Sequence, residues 1–174
     1  MKYTFVFDEE RCCACSACMI GCMDQNDIDP EKGEVCFRKT FDNEIPLEDG
    51  STYFAYLSVA CMHCADAPCI LACPVGCLFK DPDTGFTVYD NTNCIGCKSC
   101  GMACPFGAPR YRKDDGKMVK CDGCYIRVKN GLKPACVRAC SFGALDCVPE
   151  EDYLSSGGEK ACSILIQQKK LLRK

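Results

Sequence analysis

Four groups of four cysteines recur along the chain, and their spacing constrains the fold more than any other feature. The first and third groups share the spacing CxxCxxCxxxC. The second group widens the middle gap to four residues, and the fourth widens it to eleven. We call these groups tetrads one to four, and they consist of Cys12, Cys15, Cys18 and Cys22; Cys61, Cys64, Cys69 and Cys73; Cys94, Cys97, Cys100 and Cys104; and Cys121, Cys124, Cys136 and Cys140.

The spacing of tetrads one and three is that of bacterial-type ferredoxins. In such proteins three thiolates in one tight loop bind three irons of a single [4Fe-4S] cluster, while the fourth cysteine points away and binds the other cluster. Each tetrad then needs a partner tetrad. The sequence therefore predicts two modules of two clusters each, and spacing alone leaves open which tetrads pair.

Zinc and disulfide bonds are the alternative uses for so many cysteines. A zinc site needs two CxxC pairs, so the third cysteine of each loop would be surplus. His63 is the only histidine, which disfavours mixed Cys/His and Rieske sites, and we expect it to be a donor near a ligand or a packed ring. The odd total of 21 cysteines and the absence of an export signal in residues 1–11 disfavour a disulfide scaffold.

The apolar core is thin, because Leu, Ile, Val and Phe together number 36 of 174 residues. Such a composition lies near that of chains that do not fold unaided, so bound metal is expected to supply folding free energy. Five cysteines lie outside the tetrads, namely Cys13, Cys36, Cys77, Cys147 and Cys162. The last three have apolar neighbours in the sequence and are predicted to act as small hydrophobic residues. For Cys13 an exchange with Cys12 as ligand is considered.

We predict an α+β fold of β-hairpins and short helices around the cysteine loops. The predicted strands cover residues 3–7, 35–41, 53–59, 86–89 and 144–148. The predicted helices cover residues 16–25, 68–73, 98–104 and 134–140, with a further turn at 124–129 and a helical tail from Glu159. No apolar run approaches the roughly 20 residues that span a bilayer, so no membrane span is predicted.

The motifs resemble the four-cluster iron–sulfur electron-transfer subunits, or B subunits, of the dimethyl sulfoxide reductase family of molybdoenzymes. The most specific parts are CMHC at 61–64 with APC at 67–69, CIGCKSCGMACPFGAPRY at 94–111 and KCDGCYIRVKNGLKPACVRAC at 120–140. The resemblance covers roughly residues 3–148. One departure is Ser141, which stands where a proline often follows the last cysteine of tetrad four.

The resemblance implies two bacterial-ferredoxin-like modules, the second inserted in the first. The outer module would hold tetrads one and four on residues 1–52 plus 113–150, the inner module tetrads two and three on residues 53–112, and residues 151–174 would form a C-terminal helical tail. The implied ligand sets are Cys12, Cys15, Cys18 and Cys140; Cys121, Cys124, Cys136 and Cys22; Cys94, Cys97, Cys100 and Cys73; and Cys61, Cys64, Cys69 and Cys104.

The function implied by the resemblance is electron transfer through four [4Fe-4S] clusters to or from a large catalytic subunit with a molybdenum or tungsten pterin cofactor. Members of the family often have a membrane-anchor subunit as well. On its own the chain is expected to catalyse nothing, because a cluster with four thiolates has no open iron for a substrate. The alternatives are a free soluble polyferredoxin and a small subunit of a formate dehydrogenase, hydrogenase or tungsten aldehyde oxidoreductase complex.

Charge is unevenly distributed along the sequence. Residues 1–97 hold 6 basic and 16 acidic side chains, whereas residues 98–174 hold 15 and 8. The basic residues between tetrads three and four are expected to line a docking face, to compensate cluster charge, or to form a solvated face. They are Arg110, Arg112, Lys113, Lys117, Lys120, Arg127, Lys129, Lys133 and Arg138. No nucleic-acid partner is predicted, and the expected location is the cytoplasm or export in folded form with a signal-bearing partner.

Overall fold

The computed structural model describes residues 1–157 and shows an α+β fold, in which small antiparallel sheets and short helices alternate with the cysteine loops. The strands are β1 Tyr3–Phe7, β2 Lys39–Pro46, β3 Thr52–Val59, β4 Leu78–Lys80, β5 Thr87–Tyr89, β6 Arg110–Tyr111, β7 Met118–Val119 and β8 Leu145–Pro149. The helices are α1 Ala17–Gln25, α2 Pro68–Leu71, α3 Ser99–Ala103, α4 Tyr125–Lys129, α5 Ala135–Arg138 and α6 Glu150–Ser155, with a 3₁₀ turn at Pro30–Lys32.

The strands pair in four two-stranded antiparallel sheets within residues 1–157. Three of these sheets join strands that are neighbours in sequence, namely β2 with β3, β4 with β5 and β6 with β7. The fourth joins β1 to β8, in a register that runs from Tyr3 opposite Pro149 to Phe7 opposite Leu145. This sheet therefore connects the first strand to the segment that follows tetrad four.

The larger apolar core lies against the sheet of β1 and β8. Phe5 and Phe7 alternate along β1 and are buried together with Phe86, Val88 and Leu145. Alternation of this kind is the expected pattern for a strand with one face in the core. The strand predicted at residues 3–7 is found there because its sequence has this period.

Helix α1 packs closely against α5, and Gly21 permits the approach. A Cβ atom at Gly21 would lie 2.8 Å from Cβ of Ala139 and 3.2 Å from the carbonyl oxygen of Ala135. The contact brings the helix that contains Cys18 and Cys22 of tetrad one against the helix that contains Cys136 of tetrad four. Helix α2 contacts α3, which brings tetrads two and three together.

The strand predicted at residues 35–41 is displaced in the structure, since β2 begins at Lys39 and runs to Pro46. The alternating apolar residues Val35 and Phe37 suggested an earlier start. Phe37 instead packs against the apolar core, and Arg38 is buried beside Ser58. Residues 35–38 therefore do not pair with β3 as part of the strand. The eight-residue strand β3 fixes the true register, with Lys39 opposite Val59.

The remaining differences concern short elements and element ends. Strands β4, β6 and β7 are two or three residues long and were not predicted, because so few residues carry no periodic signal. Helix α6 overlaps the start of the helical tail expected at residues 151–174. The part of that tail expected from Glu159 lies outside the described residues. Within residues 1–157 no helix has the length and apolar character needed to cross a bilayer.

Candidate iron–sulfur site

The first two cysteines of every tetrad are joined by a loop of the same backbone shape. In each loop the residue before the second cysteine has a left-handed conformation, with φ of +52° at Ala14, +46° at His63, +64° at Gly96 and +76° at Gly123. Such a residue directs successive backbone N–H groups to one side of the chain, which forms a concavity suited to anionic groups. The four loops are therefore copies of one structural unit, although only two of them contain glycine at this position.

Tetrads one and three share a second left-handed residue, which immediately precedes a helix. Ser16 precedes α1 and Lys98 precedes α3, with φ of +65° at both. The third cysteine of each tetrad lies in the first turn of the helix and is buried, at Cys18 and at Cys100. The two identical spacings thus produce the same local fold.

The turn after the fourth cysteine also repeats in three of the tetrads. Its glycine is left-handed and donates its N–H to the carbonyl oxygen of the cysteine three residues earlier. The pairs are Gly76 with Cys73, Gly107 with Cys104, and Gly143 with Cys140. Ser141 therefore leaves the turn unchanged, although it replaces a proline found in the other two copies.

Backbone N–H groups donate to four of the tetrad sulfurs. Each donor lies within 3.5 Å of its sulfur, as expected for ligands whose charge requires compensation. The contacts run from Cys77 to Cys73 at 3.3 Å, from Ala108 to Cys104 at 3.4 Å, from Met118 to Cys94 at 3.3 Å and from Gly123 to Cys121 at 3.4 Å. The loop geometry and these N–H donors are therefore both suited to stabilising negative charge on the sulfur atoms.

Thiols of tetrads one and four influence each other's ionisation. Burial raises the pKa of Cys22 to about 12, and the nearby Cys136 and Cys124 thiols add to the rise. Burial likewise raises the pKa of Cys12, with a further contribution from the Cys140 thiol. Closely spaced buried thiols resist ionisation because their thiolates repel one another, and bound metal removes that repulsion by replacing the protons.

Thiols of tetrads two and three form a second set of neighbours. Burial raises the pKa of Cys69 to about 11, and the Cys61 and Cys104 thiols add to the rise. Burial also raises the pKa of Cys100, with a contribution from the thiol of Cys73. In both pairs of tetrads, the fourth cysteine of one tetrad lies near cysteines of the other.

The cysteine geometry differs from that of a mononuclear metal site. In residues 1–157 no three His, Cys, Asp or Glu side chains converge closely enough to hold one metal ion. A zinc ion requires its four ligands within about 2.3 Å of one centre. In a [4Fe-4S] cluster each thiolate binds a different iron, so the sulfurs lie further apart. Within residues 1–157 the cysteines form no disulfide bonds, and their chemistry and spacing fit such clusters.

Two buried cations lie among these sulfurs. Lys120 donates from Nζ to the carbonyl oxygens of Thr87 and Cys121. Arg38 donates from Nη1 to the Ser58 carbonyl oxygen at 3.2 Å and to its Oγ at 3.0 Å, and that Oγ is 3.2 Å from Sγ of Cys18. Neither cation forms an ion pair with a carboxylate within residues 1–157, and Nε of Arg38 has no hydrogen-bond partner there.

A buried cation without a counter-charge is costly, so these two residues indicate where negative charge is held. Burial opposes ionisation of Arg38, but negative charge on nearby cysteine sulfurs such as Cys136 and Cys121 outweighs it and raises the pKa of the guanidinium. Thiolate-bound clusters would supply the missing negative charge. The positions of Arg38 and Lys120 therefore fit clusters at the neighbouring cysteines. Sequence reasoning assigned no role to Arg38, because a single arginine before a strand carries no signal.

Three of the nine basic residues between tetrads three and four form ion pairs within residues 1–157, namely Arg112, Lys129 and Lys133. Lys129 binds Asp81 at 2.6 Å and Asp83 at 2.9 Å. Lys133 binds Asp146 at 2.9 Å, and an exposed ion pair joins Arg112 to Asp115. Lys120 is buried instead, which is the position expected for a residue that compensates cluster charge. A docking role for the exposed members stays a prediction.

The structure places His63 as a packed ring beside a tetrad sulfur. Its ring lies 4.8 Å from that of Phe86 and 5.7 Å from that of Phe5, measured between centroids. Burial lowers the pKa of His63 well below its usual value, and the positive charge of Lys120 lowers it further. A tyrosine not singled out from the sequence has a comparable position, since Oη of Tyr111 is 3.4 Å from Sγ of Cys100.

Repeated cysteine loops on an α+β framework, with thiols grouped across pairs of tetrads, define a ferredoxin-type [4Fe-4S] protein. Residues 52–149 match a family model that is described as a 4Fe-4S dicluster domain. The matched residues contain tetrads two, three and four. With tetrad one, the chain has sixteen tetrad cysteines, which is the number that four [4Fe-4S] clusters require.

Similarity to characterised proteins extends over most of the sequence. The B subunit of the anaerobic dimethyl sulfoxide reductase of Escherichia coli (strain K12) is 41% identical over 169 residues, which cover 92% of this chain and 80% of that protein. The thiosulfate reductase electron transfer subunit of Salmonella typhi is 34% identical over 151 residues, 83% of this chain and 77% of that subunit. The nitrate-inducible formate dehydrogenase iron–sulfur subunit of E. coli is 30% identical over 173 residues, which cover 91% of this chain and 58% of that subunit. This protein belongs to the family of iron–sulfur B subunits of dimethyl sulfoxide reductase-type enzymes, which confirms the resemblance.

Proposed function

We propose that this chain is the electron-relay subunit of an anaerobic respiratory oxidoreductase. It would hold four [4Fe-4S] clusters on the sixteen tetrad cysteines and pass single electrons to or from a large catalytic subunit with a molybdenum or tungsten pterin cofactor. The observation that carries this proposal is the fourfold repeat of the left-handed loop at Ala14, His63, Gly96 and Gly123. One loop of this kind would suit several metals, but four copies with exchanged fourth cysteines suit paired cubanes.

The proposed ligand sets cross between tetrads one and four and between tetrads two and three. Support comes from the packing of α1 on α5, from the pairing of β1 with β8, and from the contact of α2 with α3. The neighbouring thiols also fit, since Cys140 lies near Cys12 and Cys104 near Cys69. We accordingly propose that residues 53–112 form an inner module inserted in an outer module of residues 1–52 and 113–150.

The clusters supply one-electron chemistry, and the protein contributes insulation and charge compensation. Four thiolates per cluster leave no iron open for substrate, so catalysis is assigned to the partner. The relatives are named as parts of dimethyl sulfoxide reductase, thiosulfate reductase and formate dehydrogenase systems, which supports a large catalytic partner. A membrane anchor and the cellular compartment stay predictions.

Iron analysis of the unaltered protein and of two cysteine variants tests the ligand assignment. Anaerobically purified protein should contain about 16 iron and 16 sulfide per molecule, four of each in every cluster. Cys100→Ser should lose the iron of one cluster. Cys77→Ser is the matched control, because Cys77 is buried near Cys73 and Cys94 but belongs to no tetrad. Cys162 also belongs to no tetrad and its replacement should likewise leave the iron content unchanged, but it lies outside the described residues.

Retention of about 16 iron in Cys77→Ser and its partial loss in Cys100→Ser would support the partition. Equal losses from both variants would show that the ligand set of this cluster is wrong. Iron near four or eight in the unaltered protein, or stoichiometric zinc, would refute the cluster number. Co-purification with a stoichiometric large subunit would separate a relay subunit from a free polyferredoxin.

A further inference from the structure

The hydrogen bonds of His63 determine which ring nitrogen carries its proton. The backbone N–H of Thr87 donates to Nδ1 of His63 at 3.1 Å, so Nδ1 has its lone pair occupied and bears no proton. The single proton of the neutral ring must then be on Nε2. That nitrogen lies 3.7 Å from Sγ of Cys121. His63 is therefore oriented to donate an N–H···S hydrogen bond to tetrad four, although it belongs to the loop of tetrad two.

The position of the ring is fixed from several sides. Phe5 and Phe86 pack on it, and the side chain is buried. Lys120 donates to the carbonyl oxygens of Thr87 and Cys121. It therefore holds together the two residues that contact the two ring nitrogens of His63. The donor is thus held in place by groups of β1, β5 and tetrad four together.

We propose that His63 is a positioning residue that connects tetrads two and four and raises the reduction potential of the cluster bound by Cys121. This inference rests on the proposed function. Reduction adds one electron to the cluster and increases the negative charge on its sulfurs, and no proton is transferred. A fixed N–H donor therefore stabilises the reduced form more than the oxidised form.

Two substitutions separate the hydrogen bond from the packing of the ring. His63 has φ of +46°, a conformation that asparagine tolerates well. In His63→Asn the amide oxygen can still accept the N–H of Thr87, but the side chain is too short to reach Cys121. In His63→Gln the amide nitrogen stands at the same number of bonds from Cα as Nε2. Both variants lack the ring. Asparagine keeps the acceptor for Thr87 without a donor to the sulfur, and glutamine supplies the donor without that acceptor.

The readout is a redox titration of the holoprotein, monitored by electron paramagnetic resonance. We expect His63→Asn to lower the equilibrium constant for reduction of one cluster by about tenfold, equivalent to about 59 mV for a one-electron couple. The other clusters should keep their potentials, and His63→Gln should restore most of the change. Equal potentials in His63→Asn and His63→Gln, or shifts of all clusters together, would overturn the proposal.

A second measurement needs no variant, because His63 is the only histidine of the sequence. In tag-free protein made with ¹⁵N-labelled histidine, pulsed electron paramagnetic resonance should detect a ¹⁵N coupling at one reduced cluster. Absence of this coupling from every reduced cluster would refute the hydrogen bond even if His63→Asn failed to assemble. Failure of the proposed function would look different, as iron far from 16 in the unaltered protein.

Discussion

Replacing Tyr111 with phenylalanine should change one hydrogen bond at one cluster. Oη of Tyr111 accepts the N–H of Gly101 at 3.0 Å and lies 3.4 Å from Sγ of Cys100. Because the oxygen already accepts a hydrogen bond from the backbone, its own proton is available to the sulfur. The hydroxyl therefore stabilises charge on Cys100, and Tyr111→Phe removes this interaction while it keeps the ring.

The size of the effect follows from the charge on the cluster. A hydrogen bond to a charged group contributes about 1.5–3 kcal/mol. A cluster with four thiolates has a total charge of about −2 when oxidised and about −3 when reduced, so the bond should strengthen by roughly half on reduction. The difference is about 0.7–1.5 kcal/mol, which lowers the reduction potential in Tyr111→Phe by about 30–60 mV.

The assay is the same redox titration, carried out on Tyr111→Phe and on Tyr53→Phe. Tyr53 is exposed on β3, so its replacement controls for loss of a phenol elsewhere in the protein. Only one of the four clusters should shift in Tyr111→Phe, and none should shift in Tyr53→Phe. An unchanged potential in Tyr111→Phe with full iron content would refute the assignment of this hydroxyl as a donor. Combination with His63→Asn should shift two different clusters.

Two further predictions concern stability. Arg38→Met replaces a buried cation by a neutral side chain of similar length, and the uncompensated negative charge should destabilise the holoprotein by about 3–5 kcal/mol. The assay is unfolding in denaturant, with Lys39→Met at an exposed neighbouring position as the control. Equal unfolding midpoints for the two variants would contradict the role of Arg38. Removal of iron by a chelator under reducing conditions should abolish most of the circular-dichroism signal, since the apolar core is thin. An apoprotein that still unfolds cooperatively would show that the clusters are not needed for the fold.

The cysteine loops could be predicted from the sequence because their spacing is local. Short-range spacing determines which sulfurs a loop can present, and the structure has the predicted short helices at the third cysteines Cys18 and Cys100. Strand β1 could also be predicted, since Phe5 and Phe7 alternate on its buried side. These features depend on residues within about one turn of each other.

The parts that were missed depend on contacts between distant segments. The register of β2 is fixed by β3 and by the burial of Arg38 against Ser58, twenty residues away. The role of His63 depends on Thr87 and Cys121, which lie 24 and 58 residues further along the sequence. Local sequence patterns contain no information about such pairs, so the donors around the sulfurs became visible only in the folded protein.

Differences between the clusters must come from these donors, because the proposed ligands of all four clusters are identical. The sulfur of Cys121 has the N–H of Gly123 and Nε2 of His63 beside it, and Lys120 donates to the backbone carbonyl oxygen of Cys121. Cys100 has the hydroxyl of Tyr111. The donors to Cys73, Cys94 and Cys100 are neutral groups, whereas Lys120 places a full positive charge beside the proposed cluster of Cys121, and this charge favours the reduced form of that cluster. The tetrads allow the protein to carry electrons, and the residues between them determine on which cluster an electron is most stable.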